Sequence, residues 1–305
     1  SSPGIPPDLH ARAVPEGSLE GMAPRRMMSV LAACSALRAG GSGTCPGEIS
    51  VAGYGPVSVV NAKWNLPGEP AGQVTVPDGR GVMPHMKGRS YWATACTEDA
   101  YDNEEYVALN LLGKTLRYTT DMSGAGCGCN AALYLTSLHQ SAGKSGCGDH
   151  YCDANNVCGQ SCAEIDIQEA NNMAWHSTLH TKTDHSGVGG GYGGGTGWNG
   201  PRNWNPSQYG PGSGCIDTKK PIDVAVSFPV DGQGSLQAMT LKLTQKGTSC
   251  ALDVNLGSYA GMGELGAALA AGMTPIISYW SSPDMGWMDG KGADGQGPCA
   301  SENPG

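Results

Sequence analysis

The sequence predicts an all-β domain, and three observations predict it. Its 305 residues include 48 Gly and 20 Pro, a supply of turns rather than of long helices. The runs Lys219 to Pro229 and Leu236 to Leu243 alternate apolar and polar residues with the period of a strand. Only Gly263 to Ala271, rich in Ala and Leu, reads as a helix. A chain of this length can form one large sandwich without a second domain. With a single Phe, its core must be built from Val, Ile, Leu, Met, Tyr and Trp.

Taken in order, residues 1–21 are rich in Pro and Gly and read as an extension upstream of the fold. Met22-Ala23-Pro24-Arg25-Arg26 is a positively charged start, and Met27 to Leu37 is apolar and ends in small residues near Ala36 or Ala39. Residues 22–39 are therefore expected to be a signal peptide, the alternative being a short buried helix of an N-terminal domain. The run is too short to span a membrane, and no other stretch approaches that length. Residues 40–305 are expected to be a single secreted domain with no membrane partner.

Only 15% of the residues are charged, and a net charge of -9 provides no basic surface for nucleic acid. An acidic protein is also a poor host for polyanionic sugars such as alginate or pectate, so a neutral glucan fits better. Of the 12 Cys, Cys34 would leave with the leader, and the odd remainder implies a free thiol or a missing partner. Cys147, Cys152, Cys158 and Cys162, with His150 nearby, offer a zinc site as an alternative to disulfides. Secretion and the lack of paired Cys-x-x-Cys knuckles favour disulfides.

The stretch Cys162-Ala163-Glu164-Ile165-Asp166-Ile167-Gln168-Glu169-Ala170-Asn171 carries the chemistry. Strand side chains alternate faces, so Glu164 and Asp166 share one face, and Glu169 joins them only if a bulge absorbs one residue. Four effective strand steps span about 13 Å. Two Glu side chains leaning inward then leave about 5 Å between carboxyls, the separation of a retaining glycosidase. Asp166 between them can hydrogen-bond one Glu and push the two pKa values apart. A solvated acidic strand edge is the bland alternative, which the apolar Ile165 and Ile167 on the opposite face oppose.

Two other segments invite a role. Gly143-Lys144-Ser145 mimics the end of a phosphate-binding loop, but Leu138 stands where that loop needs Gly. Ser186 to Gly200, with nine Gly around Tyr192 and Trp198, reads as a loop near the site or a plain linker rather than a strand.

Glu164-Ile165-Asp166-Ile167-Gln168-Glu169-Ala170-Asn171 resembles the Glu-x-Asp-x-x-Glu-Ala-Asn signature of glycoside hydrolase family 7, the cellobiohydrolases and endoglucanases. Family 16 glucanases carry a similar acid strand, so the flanks decide. Leu111-Leu112-Gly113-Lys114, Cys127-Gly128-Cys129-Asn130 and Ala131-Ala132-Leu133-Tyr134-Leu135 are similar to the family 7 run upstream of the acids. Tyr151-Cys152-Asp153, Trp204-Asn205-Pro206, Tyr209-Gly210-Pro211-Gly212, Gly272-Met273, Ser278-Tyr279-Trp280 and Trp287-Met288-Asp289 follow in the family's order.

The resemblance implies a concanavalin-like β-sandwich (jelly roll) of two curved antiparallel sheets with a concave cleft. It implies retaining hydrolysis of β-1,4-glucosidic bonds in cellulose or a related β-glucan. Glu164 would be the nucleophile, Asp166 its orienting partner and Glu169 the acid/base. Asn130, Tyr134, Tyr151 and Asp153 match residues lining the nucleophile side, and Thr178 and His180 a pair beyond the acid/base Glu. Pyranose rings stack on aromatic side chains, and Trp64, Trp280 and Trp287 match the family's platform tryptophans. The resemblance pairs Cys152 with Cys162 and Cys127 with Cys299. It implies no metal and no cofactor, and a monomer. His176 and His185 have no match and receive no role.

The chain departs from the family in places. Only eight residues separate Asp153 from Cys162, too few to roof a tunnel, which points to an open, endo-acting cleft rather than a cellobiohydrolase. Residues 67–103 are compressed, and the family's Val-Gly-Ala-Arg-Leu-Tyr-Leu strand is not recognisable there. The family's last strand is also missing after Cys299, as in a truncated member. The leading expectation is a secreted endo-glucanase, on cellulose or mixed-linkage glucan. A glycan-binding or wall-structural protein on the same scaffold is the alternative.

Overall fold

The described residues of the computed structural model, 29–33, 43–194, 203–290 and 297–299, form nineteen strands and two short helices. In chain order the first strands are β1 (Ser29–Ala33), β2 (Gly47–Val51), β3 (Gly55–Asn61), β4 (Trp64–Leu66), β5 (Glu69–Pro70) and β6 (Val74–Thr75). Then come β7 (Gly81–Pro84), β8 (Gly88–Ala93), β9 (Thr115–Gly124), β10 (Cys129–Thr136), β11 (Glu164–Ala170), β12 (Trp175–His180) and β13 (Val188–Tyr192). The last are β14 (Tyr209–Gly210), β15 (Ile216–Asp217), β16 (Ile222–Ser227), β17 (Met239–Thr244), β18 (Leu252–Leu256) and β19 (Thr274–Ser281), with helix α1 (Met262–Ala271) before β19 and α2 (Gly286–Asp289) after it.

Two large sheets result, one of seven strands in the order β18-β17-β16-β9-β1-β7-β6 and one of eight in the order β13-β12-β11-β10-β19-β8-β3-β2. In the first, β16, β17 and β18 bury every second residue, so one face packs and the other meets solvent. In the second, β8, β10 and β12 are buried at every position, because both faces of the sheet are covered. The core lies between the sheets: Leu133, Leu135, Ile165, Ile167, Trp175 and Ile277 from one meet Tyr118, Met122, Val224, Val226, Leu241 and Leu243 from the other. Phe228 is fully buried there too. On the far side of the eight-stranded sheet, Val60, Tyr91, Tyr134 and Ile276 make a second cluster with Leu138, Tyr151 and Cys158 of the loop joining β10 to β11.

The all-β sandwich matches the expected fold class, with local differences. β1 pairs parallel with both β7 and β9, whereas the other pairings of the two large sheets are antiparallel. β1 falls within the expected signal peptide, and a run apolar enough for a leader is also apolar enough to sit inside a sheet. The rest of residues 22–39, and the extension 1–21, lie outside the described residues.

Val188–Tyr192 is a strand, where a loop or linker was expected. Glycine makes this possible by close approach. Gly191 has a φ of 138°, and a Cβ there would come within 2.0 Å of the Trp175 carbonyl oxygen on β12. The end of that run, 195–200, lies outside the described residues. Within the compressed segment 67–103, β8 is a full sheet strand, paired between β3 and β19.

Disulfides join Cys45 to Cys96, Cys147 to Cys158, Cys152 to Cys162, Cys215 to Cys250 and Cys127 to Cys299. No cysteine among the described residues is free, so the odd thiol expected once Cys34 is removed does not appear among them. The Cys127–Cys299 bridge closes a separation of 172 residues with a Cα–Cα distance of 6.0 Å. Its loss should act mainly by freeing the unfolded chain. The double change Cys127→Ser, Cys299→Ser is expected to cost about 2–5 kcal/mol in denaturant unfolding. An unchanged midpoint would show that the bridge contributes nothing.

Candidate active site

Strand β11 carries the acids, and its register explains how they come to share a face. Against β10, Leu133 pairs with Gln168 but the next residue, Tyr134, pairs with Asp166, so Ile167 is an extra residue. Against β12, Asp166 pairs with Thr178 and Glu169 with His176, leaving Ser177 opposite both Ile167 and Gln168. This is a β-bulge of two residues against one. Ile167 packs in the core, and Gln168 also points inward, its amide donating to Ala131 O (2.9 Å) and its oxygen accepting from the Tyr118 hydroxyl (3.2 Å). Glu169 is thereby turned to the side of Glu164 and Asp166. The carbonyl of Ile167 accepts from Ser177 Oγ at 2.7 Å.

The cross-strand pairs lay out the face in rows. One runs His176, Glu169, Ala132, Ser278, Arg89, and the next runs Thr178, Asp166, Tyr134, Ile276, Tyr91. A third runs His180, Glu164, Thr136, Thr274. Because Ala132 and Thr136 are four apart on β10, the backbones of the two Glu residues are about 13 Å apart along the strand. Asn130 and Trp280 pair one step beyond the Glu169 row.

Glu164 and Asp166 are buried, Glu169 is half-buried, and each is held by hydrogen bonds or a close partner. Glu164 Oε2 accepts from the Ala154 amide at 2.7 Å. Asp166 Oδ2 lies 3.2 Å from His180 Nε2, while His180 Nδ1 lies 3.1 Å from the carbonyl oxygen of Asp184 and so donates to it. Glu169 Oε1 accepts from Asn130 Nδ2 at 2.9 Å, and Asn130 Oδ1 accepts from the Ala170 amide at 3.1 Å. Burial raises all three carboxyls above the usual range. For Glu164 the neighbouring Asp166 and Asp153 add to the rise, while His180 and the Ala154 amide oppose it. For Asp166 the charge of Glu169 adds to it, and a hydrogen bond with Glu164 opposes it. For Glu169 the Asn130 amide and His180 oppose it. Burial raises Asp153 as well.

The loop between β10 and β11 carries further residues at the Glu164 end. The Tyr151 and Tyr134 hydroxyls are 2.8 Å apart, and Asp153 Oδ1 accepts from the Val157 amide at 3.1 Å. The Cys147–Cys158 and Cys152–Cys162 bridges staple this loop. The structure thus brings together Glu164, Asp166, Glu169, Asn130, Tyr134, Tyr151, Asp153, Thr178 and His180. The three tryptophans are spread out. Trp280 sits beside Asn130, Trp287 lies with its ring 6.1 Å from that of His176, and Trp64 packs at the other end against the Tyr91 cluster.

Arg89 was not legible as a site residue. It is buried in β8, with its guanidinium carbon 3.7 Å from the Tyr151 ring centroid, and it donates to Tyr91 Oη, Asn65 O and Trp64 O. The available signal was an Arg inside the strand-like run Ser90-Tyr91-Trp92-Ala93, since a buried guanidinium requires partners.

No family model matches the chain. Endoglucanase EG-1 of Trichoderma longibrachiatum is 31% identical over 239 residues, covering 65% of this chain and 48% of that protein. The endo-beta-1,4-glucanase celB of Emericella nidulans is 30% identical over 264 residues, covering 65% and 61%. The chain thus matches 48% and 61% of the length of these two relatives. The native endocellulase EGI of Humicola insolens superposes with a TM-score of 0.54 at 21% identity, over 81% of this chain and 86% of that one. A GH7 family cellobiohydrolase from Daphnia pulex gives 0.51 at 19%, over 81% and 72%. The chain thus shares its sandwich fold with these structures and is similar in sequence to curated endoglucanases.

Proposed function

We propose that this chain is a secreted, retaining endo-β-1,4-glucanase acting as a monomer on cellulose or a related β-glucan. The observation that carries the reading is the bulged acid strand, which sets two Glu residues with an Asp between them on one face. Curated relatives named as endoglucanases support it, and disulfides agree with an oxidising, extracellular setting.

The hydrogen bonds divide the roles. A bond between the Asp166 and Glu164 carboxyls needs a proton on one of them. Glu164 accepts the Ala154 amide, which favours its ionised form, the form that attacks, and Asp166 beside it orients it. Glu169, whose carboxyl desolvation pushes up, donates its proton to the leaving glycosidic oxygen while Glu164 bonds to the anomeric carbon. Glu169 then removes a proton from water, which attacks the same carbon and releases Glu164. The half-buried Trp280 and Trp287 supply apolar faces for sugar rings, and the buried Tyr151, packed on Arg89, stiffens the Glu164 end. The short loop after Asp153 leaves the groove open, so a polymer can bind at any point along its length.

Glu164→Gln should lower hydrolysis of soluble cellulose and barley glucan by about 10³-fold or more while oligosaccharides still bind. Activity within tenfold of the parent would remove Glu164 as nucleophile. A mechanism-based fluoroglucoside should label Glu164, and labelling of Glu169 would exchange the roles. For endo action, the viscosity of carboxymethylcellulose should fall quickly relative to the reducing ends released. Slow thinning with cellobiose as nearly the sole product would contradict it.

The acids should also leave a stability signature. A carboxyl whose folded pKa is raised keeps its proton in the folded state at pH values where the unfolded chain has lost it. That contribution is complete below the unfolded value near 4.5 and declines as pH rises towards the folded one. The parent should therefore lose stability as pH rises above about 4.5. Glu164→Gln should lose less and melt higher at pH 7, by on the order of 1 kcal/mol or about 2–4 °C. Equal pH dependence in the two proteins would show that the cluster carries no such cost.

A further inference from the structure

We infer that His176 is a positioning residue that seats Trp287 beside Glu169 and so sets sugar binding on the leaving-group side; the inference rests on the glucanase reading above. His176 is fully buried on β12, directly across the strand pair from Glu169. Its Nε2 lies 2.5 Å from the carbonyl oxygen of Met288, which can only accept, so Nε2 carries the hydrogen and donates. Its ring is 6.1 Å from the Trp287 ring at an interplanar angle of 43°.

Among the described residues, hydrogen bonds also hold the far end of the turn that carries Trp287. Asp289 Oδ2 accepts from the Gly128 amide (2.7 Å) and Asn171 Nδ2 (2.6 Å), and the Cys299 amide donates to Asp289 O. These bonds hold the end of α2 to the start of β10 and the end of β11. His176 is the contact from the strand that faces Glu169. Space there is tight, since a Cβ on Gly193 would come within 2.7 Å of Met288 O and 3.3 Å of His176 Nε2. A donor of another length would move the turn, and with it the indole.

The test compares His176→Gln, whose amide nitrogen reaches about as far as Nε2, with His176→Asn, which is too short to reach Met288 O. Chains are labelled with 5-fluorotryptophan, and the Trp287 fluorine resonance is assigned by its loss in Trp287→Phe. His176→Asn should shift or broaden that resonance and His176→Gln should restore it. Loss of one buried hydrogen bond should raise KM for cellohexaose about three- to tenfold, with kcat changed less than twofold. An unmoved resonance in His176→Asn overturns the inference, as does a fall in kcat at constant KM. Should the Asn chain fail to fold, a Gln variant whose Trp287 resonance departs from the parent's overturns it as well. A parent that hydrolyses no β-glucan, with the resonance still moving in the Asn variant, counts against the glucanase reading and supports the seating.

Discussion

The site depends on one irregularity of backbone pairing, the extra residue in β11. A regular strand would turn Glu169 into the sandwich, where its charge would be stranded among Leu and Ile side chains. The bulge exchanges that outcome for two inward residues in succession, and the sandwich is built to receive both. Ile167 fills core volume, and Gln168 finds Ala131 O on β10 and the Tyr118 hydroxyl from the opposite sheet. The ladder disrupted by the extra residue is repaired by side chains, Ser177 Oγ on Ile167 O and Asn130 Oδ1 on the Ala170 amide. Asn130 reaches with its other end to Glu169, so one residue both mends the backbone and orients the acid.

Having gathered the acids, the fold holds them in an environment unfavourable to charge. Desolvation is the leading cause of the raised pKa of each, and the neighbouring carboxyls add to it for Glu164 and Asp166. Among the described residues, no Lys or Arg is among the causes that relieve it. The fold uses an amide, a neutral carboxamide and an imidazole whose tautomer is set by a backbone carbonyl. A fixed cation would lower every carboxyl together. Dipoles and an imidazole act on them unequally, and inequality is what the proposed acid and nucleophile on one strand require.

How far the sequence could be read follows from how local each feature is. The acids and their bulge lie in six consecutive residues, so strand alternation and one out-of-phase Glu were enough to expect them. Alternation likewise marked β16 and part of β17, because those strands have one wet face. Strands buried on both sides show no alternation, and β8 went unrecognised for that reason. Arg89 was lost with it, although its partners Tyr91, Tyr151 and Trp64 O explain how a buried guanidinium is tolerated. The glycines of β13 signalled flexibility when read alone. Only the neighbouring Trp175 carbonyl shows that absence of a Cβ is what lets the strand pair.

The two ends of the acid row are held in different ways, and the difference bears on what each end can do. At the Glu164 end, two disulfides shorten the loop between β10 and β11 and press Tyr151 onto Tyr134 and Arg89. The result is a stiff, aromatic and largely buried wall. At the Glu169 end, contacts come from one short helical turn held by single hydrogen bonds and by the Cys127–Cys299 bridge. On the glucanase reading proposed above, the rigid wall stands on the side of the sugar attached to Glu164, and the lighter fastening on the side from which the leaving group departs.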